Sequence, residues 1–317
     1  MQVLPLEVTS VDLLNEVLEE ELACWRGRLY WDYGPAVEQI RRHVAAHSLP
    51  GFVLSEEGRH VGYCYYVISP PLGYLGSVYV RSEWASEANY RALLSKCWEA
   101  LRSDQSIKRI ECQIFGFNYD VCPVMVDLGF TALRRHFMTL RIRTLPPASA
   151  DSAAPADFRV IPWGRGYFLP VAEAISASYR DSIDREMCYD YQSKEGCVRF
   201  LRNLVDNPGC GRFSPDTSLI ALDSVGRVCG VLVTSVISEG TGMIPQISVR
   251  PDSQGKGLGA YMMRRYFAAA RNNRLARITL SVSEQNWRAH NLYKRLGFKE
   301  TKAFYAFVWN GLGGNAY

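Results

Sequence analysis

The chain repeats itself at long range. Phe130 and Phe298, Gly62 and Gly230, and Asn118 and Asn286 each stand 168 positions apart, and Val80-Arg81 matches Val249-Arg250 with a slip of one residue. A period this long means a duplicated domain rather than a solenoid, whose repeats run about 20–50 residues. Two domains of ~100–200 residues suit a chain of 317. Between the copies, Leu145-Pro146-Pro147-Ala148-Ser149-Ala150-Asp151-Ser152-Ala153-Ala154-Pro155-Ala156-Asp157 offers nothing large to bury and reads as a linker. The expected division is therefore 1–145, a linker at 146–157, and 158–317.

The copies differ most at one loop. In the second, Val249-Arg250-Pro251-Asp252-Ser253-Gln254-Gly255-Lys256-Gly257-Leu258-Gly259-Ala260 joins an apolar run to a helical pattern. Alternating glycines permit positive φ and leave no Cβ between the amides and a ligand. Such amides, followed by a helix N-terminus, make an anion cradle suited to a pyrophosphate. The segment is not a P-loop, because no Ser or Thr follows Lys256 in the required place. Nor is it a dinucleotide fingerprint, because Gly257-Leu258-Gly259 leads to Ala260-Tyr261-Met262 without the third glycine. The first copy has Val80-Arg81-Ser82-Glu83-Trp84-Ala85-Ser86-Glu87-Ala88-Asn89-Tyr90-Arg91 instead, without a glycine and with two glutamates that would repel phosphate.

Two motifs carry a family resemblance. Gln254-Gly255-Lys256-Gly257-Leu258-Gly259 matches [QR]-x-x-G-x-[GA], and Asn286 to Phe298 resembles N-x-x-A-x-x-L-Y-x-x-L-G-F. They flank Ile278-Thr279-Leu280-Ser281-Val282, a β-branched run that predicts a strand. In that order and spacing they resemble the GNAT N-acetyltransferase superfamily, over about Leu219 to Trp309. The resemblance implies a tandem-GNAT chain of mixed α/β (α+β) class. Each domain would be a mixed, mainly antiparallel sheet flanked by helices, the first a degenerate copy without a coenzyme loop and the second catalytic.

The resemblance also assigns roles. Acetyl-CoA would be the cofactor, with Ile247, Ser248 and Val249 along the acyl-pantetheine arm. Gln254, Gly255, Lys256, Gly257, Leu258, Gly259 and Ala260 would hold its pyrophosphate. Asn286 stands where the family contacts pantetheine, or it is simply a helix cap. Lys256, Arg264 or Arg265 would reach a phosphate, or form a solvated helix face. Tyr293 stands at the family's general acid; a phenol with an ordinary pKa near ~10 can protonate a leaving thiolate at neutral pH. Many relatives carry a glutamate base on the fourth strand, but Met243–Val249 holds no acid, leaving Glu239, Glu284, Asp181 and Asp184 as candidates.

Local pattern completes the reading. Helices are predicted over Val11–Cys24, from Pro35 to His47, over Phe168–Tyr179, over Lys194–Leu204 and from the glycine loop to Asn272. Strands are predicted at Phe52–Leu54, Val61–Tyr66, Ser218–Asp223, Val228–Val236 and Ile244–Val249. The connection after Phe168–Tyr179 carries Tyr179, Asp181, Asp184 and Tyr189, whose carboxylates and ring faces suit a cationic amine. His43 and His47 have the spacing of a helical metal pair but lack the glutamate of H-E-x-x-H, so no metal is expected.

The net charge of +4 favours neither nucleic acid nor membrane. No apolar run reaches the ~18 residues of a bilayer span. Nine scattered cysteines without C-x-x-C read as reduced thiols. With no basic, apolar leader pattern at the start, a cytoplasmic location is expected. The expected function is N-acetyl transfer from acetyl-CoA to the primary amine of a small molecule by direct attack. A peptide or protein amine is the alternative acceptor, and a catalytically silent acyl-CoA sensor the alternative of another class.

Overall fold

The computed structural model describes residues 1–145 and 155–311. Most of the expected linker at 146–157 lies outside them. The strand β1 (Gln2–Pro5) leads into α1 (Val11–Leu29), which starts where Ser10 Oγ accepts the N–H of Asp12 at 3.3 Å. Next come α2 (Gly34–Ala45), with Pro35 in its first turn, β2 (Gly51–Glu56), β3 (Arg59–Ser69) and β4 (Leu72–Val80). The helix α3 (Glu87–Ser103) is capped by Ser86 and followed by β5 (Arg109–Ile114), α4 (Cys122–Asp127) and β6 (Thr131–Arg141).

The plan then recurs, as the internal repeat requires. The strand β7 (Arg159–Pro162) precedes α5 (Phe168–Tyr179), α6 (Asp184–Met187), α7 (Lys194–Asp206) and the short β8 (Arg212–Phe213). The strands β9 (Leu219–Leu222), β10 (Val228–Ser238) and β11 (Thr241–Val249) precede α8 (Leu258–Asn272). The chain ends through β12 (Arg277–Ser283), α9 (Trp287–Arg295) and β13 (Lys299–Asn310).

The compact units do not follow the linear division expected from the linker. One holds Met1–Arg135 together with the stretch from Ala303 on, and the other holds His136–Lys302. Burial gives the reason. Phe307 is fully buried among Leu93, Ile110 and Val124, and Tyr305–Asn310 pairs antiparallel with Ile114–Arg109 of β5. Met138, Leu140 and Ile142 are buried instead with Leu258, Met262 and Ile278. Each repeat thus gives the second half of its last strand to the other unit's core.

In the first unit the strands run β1-β2-β3-β4-β5, with a parallel step only at β4–β5. In the second they run β7-β9-β10-β11-β12, with the parallel step at β11–β12. The apolar positions of α8 (Leu258, Met262, Met263, Tyr266, Phe267, Ala270) form one buried stripe. The described residues contain no helix long and apolar enough to cross a membrane, and all nine cysteines are free thiols.

The exchange of strands makes a measurable prediction. Phe307→Ala should cost about 3–5 kcal/mol by opening a core cavity. Amide-exchange protection should then be lost along β5, in the first unit, while β12 retains it. Loss confined to β12 would restore the linear division.

Candidate active site

The second unit opens its sheet at one residue. Parallel pairing of β11 with β12 runs from Thr241–Arg277 to Ile244–Leu280 and stops. Pro245 follows; it has no N–H to donate, and the register with β10 slips by a bulge between Val233–Gln246 and Ser235–Met243. Residues 246–249 continue against β10 alone. Their edge toward β12 has no strand partner, so main-chain donors and acceptors line a wedge between the two strands.

The glycine loop lies at the end of this strand. Gly255 and Gly257 have φ of 80° and 81°, the left-handed region where a side chain is strained. A Cβ on Gly257 would meet nothing within 4 Å, and Gly257 is the N-cap of α8. Space is therefore open beside Gly257 at the start of a 15-residue helix, a fit for a phosphorylated group. Leu258 is 1% exposed, so only its main chain is available. Gly259 lies 3.7 Å from Leu292 measured at its Cβ position, which seats α9 beside this loop.

Side chains of β11 alternate between two environments. Ile247 and Val249 pack toward the core that contains α8. Gln246 and Ser248 are buried on the other face, where Gln246 Nε2 donates to Ser248 Oγ at 2.7 Å and Tyr179 Oη at 3.2 Å. Ser178 Oγ donates to Ser248 Oγ at 2.8 Å, and Tyr191 Oη donates to Gln246 Oε1 at 3.3 Å. The rings of Tyr179 and Tyr191 stack at 3.8 Å. Gln246 and Ser248 thus contribute side chains to a polar floor, a role their sequence positions did not announce.

Asp184 closes this floor. It is 8% exposed, it accepts a hydrogen bond from Ser283 Oγ at the end of β12, and Ser182 Oγ donates to its other oxygen at 3.3 Å. Tyr293 in α9 is 5% exposed and packs on Phe298. Burial pushes its phenol well above the ordinary value, and the nearby Tyr179 and Asp184 add to the rise. The phenol consequently stays protonated through neutral and moderately alkaline pH. Burial likewise raises Asp190, which pairs with Arg199 at 2.8 Å.

The other sequence candidates separate. Asp181 is exposed, Tyr189 is half-buried, and Glu239 is exposed at the β10–β11 turn, the far end of β11 from the wedge. Glu284 lies against His136. Asn286 accepts the Ala289 N–H at 3.2 Å as the cap of α9, leaving its amide nitrogen to contact a ligand. Lys256 lies 3.6 Å from Asp157 and over Phe158, while Arg265 donates to Val160 O at 3.3 Å. Arg288 escaped notice because it fills an unspecified position of its motif. Its Nη1 donates to Gln254 Oε1 at 2.8 Å, and Gln254 Nε2 donates to Val249 O at 2.9 Å, bracing the glycine loop.

The first unit opens its sheet in the same way, since β4–β5 pairing ends at Tyr74–Glu111. Its own side chains occupy the site. Glu20 accepts the Ser82 N–H at 2.8 Å and a bond from Arg81 Nε at 3.0 Å, and Asn118 Nδ2 donates to Val80 O at 2.9 Å. No glycine lies between Val80 and Arg91.

The chain is similar to known proteins. Residues 181–298 match the profile of the Acetyltransferase (GNAT) family. A mycothiol acetyltransferase of Thermobifida fusca (strain YX) is 26% identical over 266 residues, 78% of each chain. A mycothiol acetyltransferase of Saccharopolyspora erythraea is 34% identical over 86 residues, 27% of this chain and 28% of that protein. Among solved structures, a GCN5-related N-acetyltransferase from Sphaerobacter thermophilus superposes with TM-score 0.69 at 14% identity, covering 97% and 95% of the two chains. A tandem GNAT protein from the clavulanic acid biosynthesis pathway superposes with TM-score 0.60 at 13% identity, covering 100% and 99%.

Proposed function

Because the chain belongs to the GNAT acetyltransferases, as a tandem N-acetyltransferase of that family, we propose that its second unit acetylates the primary amine of a small molecule by direct attack. The observation that carries this reading is the wedge after Ile244, with the cradle of Gly255 and Gly257 at one end and Tyr293 beside it. Acetyl-CoA, once bound, supplies the acyl group as a thioester.

The chain's own groups do the rest. Amides at 255–260 hold the pyrophosphate, and Arg288 adds charge at the lip of the loop. Main-chain dipoles of Gln246–Val249 face the thioester oxygen, where charge develops. Asp184 draws in the ammonium and takes its proton, so that a neutral amine attacks. As the C–N bond forms and the C–S bond breaks, Tyr293 donates its proton to the departing sulfur, and the second proton lost from the attacking nitrogen restores the phenol. Its raised pKa makes it a dependable donor rather than a strong acid.

A small acceptor is favoured over a protein one by burial. Asp184, Gln246 and Ser248 are at most 8% exposed, which suits a slim amine better than a lysine on a bulky surface. The names of the mycothiol acetyltransferase relatives support the same class. A silent sensor would have no use for a phenol buried next to the wedge. The first unit serves as a scaffold, since Glu20 and Asn118 already satisfy the groups that a coenzyme would meet.

Calorimetric titration with acetyl-CoA should give one site per chain. Gly257→Asp should weaken it at least tenfold, about 1.4 kcal/mol, by adding both a strained side chain and a negative charge. Two sites per chain, or unchanged affinity in a folded variant, would move the cofactor elsewhere.

Tyr293→Phe keeps the packing and removes the hydroxyl, so turnover should fall ~10²-fold with little loss of stability. Because the phenol's pKa is raised, its proton is present below that value and lost only above it. The wild-type turnover rate should therefore show no falling limb between about pH 7 and pH 10. A limb within that range that disappears in the variant would contradict the raised value.

Asp184→Asn should raise KM for the amine by about 10- to 100-fold, since a carboxylate–ammonium contact is replaced by a neutral one. Acetyl-CoA affinity should not change. Equal loss of both would mean that Asp184 only holds the fold through Ser283.

A further inference from the structure

On the side of α9 away from the glycine loop, three residues distant in sequence converge. His136 of β6, His290 of α9 and Glu300 of β13 each bring one ligand atom within 4.8 Å of the other two. His136 Nδ1 lies 3.1 Å from Glu300 Oε2, and His290 Nε2 lies 3.0 Å from Glu300 Oε1. All three belong to the second unit.

The chemistry of the donor set is that of a transition-metal centre. Two imidazoles and one carboxylate with an open position suit zinc and its neighbours. His136 is 5% exposed, and its Nε2, which makes no hydrogen bond of good geometry, faces Glu284 Oε1 at 3.5 Å. A carboxylate on that nitrogen favours a proton there and leaves the Nδ1 lone pair for a metal. Lys294 Nζ, 2.9 Å from Glu300 Oε1, at present supplies the cation. Its hydrogen bond is the leading cause of the lowered pKa of Glu300; burial opposes it, and the charges of His136, Lys294 and His290 add to the lowering.

We propose that His136, His290 and Glu300 form a binding site for a divalent ion of the zinc class, with Glu284 orienting His136 and Lys294 holding the place of the ion in its absence. The two imidazoles are stacked at 5.0 Å with planes 13° apart, so their lone pairs run nearly parallel. His290 must turn out of the stack for both nitrogens to meet one ion. Its place on a surface helix and the exposure of Glu300 allow this, whereas buried His136 stays fixed. His290 precedes Tyr293 by three residues on the same helix, so both lie on neighbouring faces of α9. A bound ion would tie that helix to β6 and β13 and stiffen the mounting of the phenol.

The test uses the full chain titrated with zinc and with cobalt(II). One saturable site per chain is expected, with visible cobalt bands of nitrogen–oxygen ligation and no thiolate charge-transfer bands. His290→Ala and Glu300→Gln should each weaken binding by more than ~30-fold, and Glu284→Gln by about tenfold. Lys294→Ala should strengthen it, because the competing ammonium is gone. Zinc should raise the unfolding temperature of the wild type and not that of the two ligand variants. No saturable binding, thiolate bands, or affinity indifferent to His290 and Glu300 would overturn the site. Any of these would leave the cluster as an ion pair between Lys294 and Glu300 flanked by two histidines.

Discussion

Everything in the second unit depends on where β11 lets go of β12. Four parallel pairs hold the strands together up to Ile244–Leu280, and Pro245 ends the ladder. A proline inside a sheet is normally a defect, because it withholds a donor. Here it is the device that opens the sheet, and the bulge against β10 turns the strand as it leaves. Parallel strands ordinarily pair along their length, so unpaired main chain in this position implies another partner. The glycine loop, the start of α8 and the buried phenol of α9 are placed around that gap.

In the first unit the chain's own side chains reach the corresponding strand end. That unit keeps the same early end to parallel pairing, at Tyr74–Glu111. The main-chain groups near Val80 and Ser82 are satisfied by Asn118 and Glu20. Glu20 is held below the usual carboxylate range; the Ser82 N–H, Arg81 and Tyr79 outweigh the opposing effect of burial. An anion of the protein's own thus sits by the strand end, where in the other unit the glycine loop follows.

The extent to which the sequence was legible follows from the range of the interactions concerned. The helix predicted at Phe168–Tyr179 has those very bounds, and the one after the glycine loop ends at Asn272 as expected, because periodicity and capping are local. The strand predicted from Ile244 starts at Thr241 instead, since residues 241–243 pair with β10 on one edge and with Arg277–Thr279 on the other. The allocation of β6 and β13 was not legible at all. Each strand follows the Gly-Phe that closes its repeat, and nothing in either pattern says which core it completes. Arg288 and Ser283 were missed for a related reason: their partners, Gln254 and Asp184, lie 34 and 99 residues away. Asp184 was legible only as one of four carboxylates, and burial beside Ser283 is what separates it from the exposed Asp181.

In the proposed reaction, the environments of Asp184 and Tyr293 would make a strong base on the fourth strand dispensable. Acetyl transfer moves one proton off the nitrogen and one onto the sulfur, and the two tasks call for groups of opposite character. The Asp184 carboxylate accepts bonds from Ser283 and Ser182, which hold it where it would meet an ammonium. The carboxylate's charge disfavours a phenolate at Tyr293, where burial already opposes ionisation. Tyr293 is thereby kept in the protonated form that a proton donor needs. Moving the carboxylate from β11 to the start of α6 leaves Gln246 and Ser248 free to form a neutral floor between them, and that floor is where the acceptor's remaining atoms would be read.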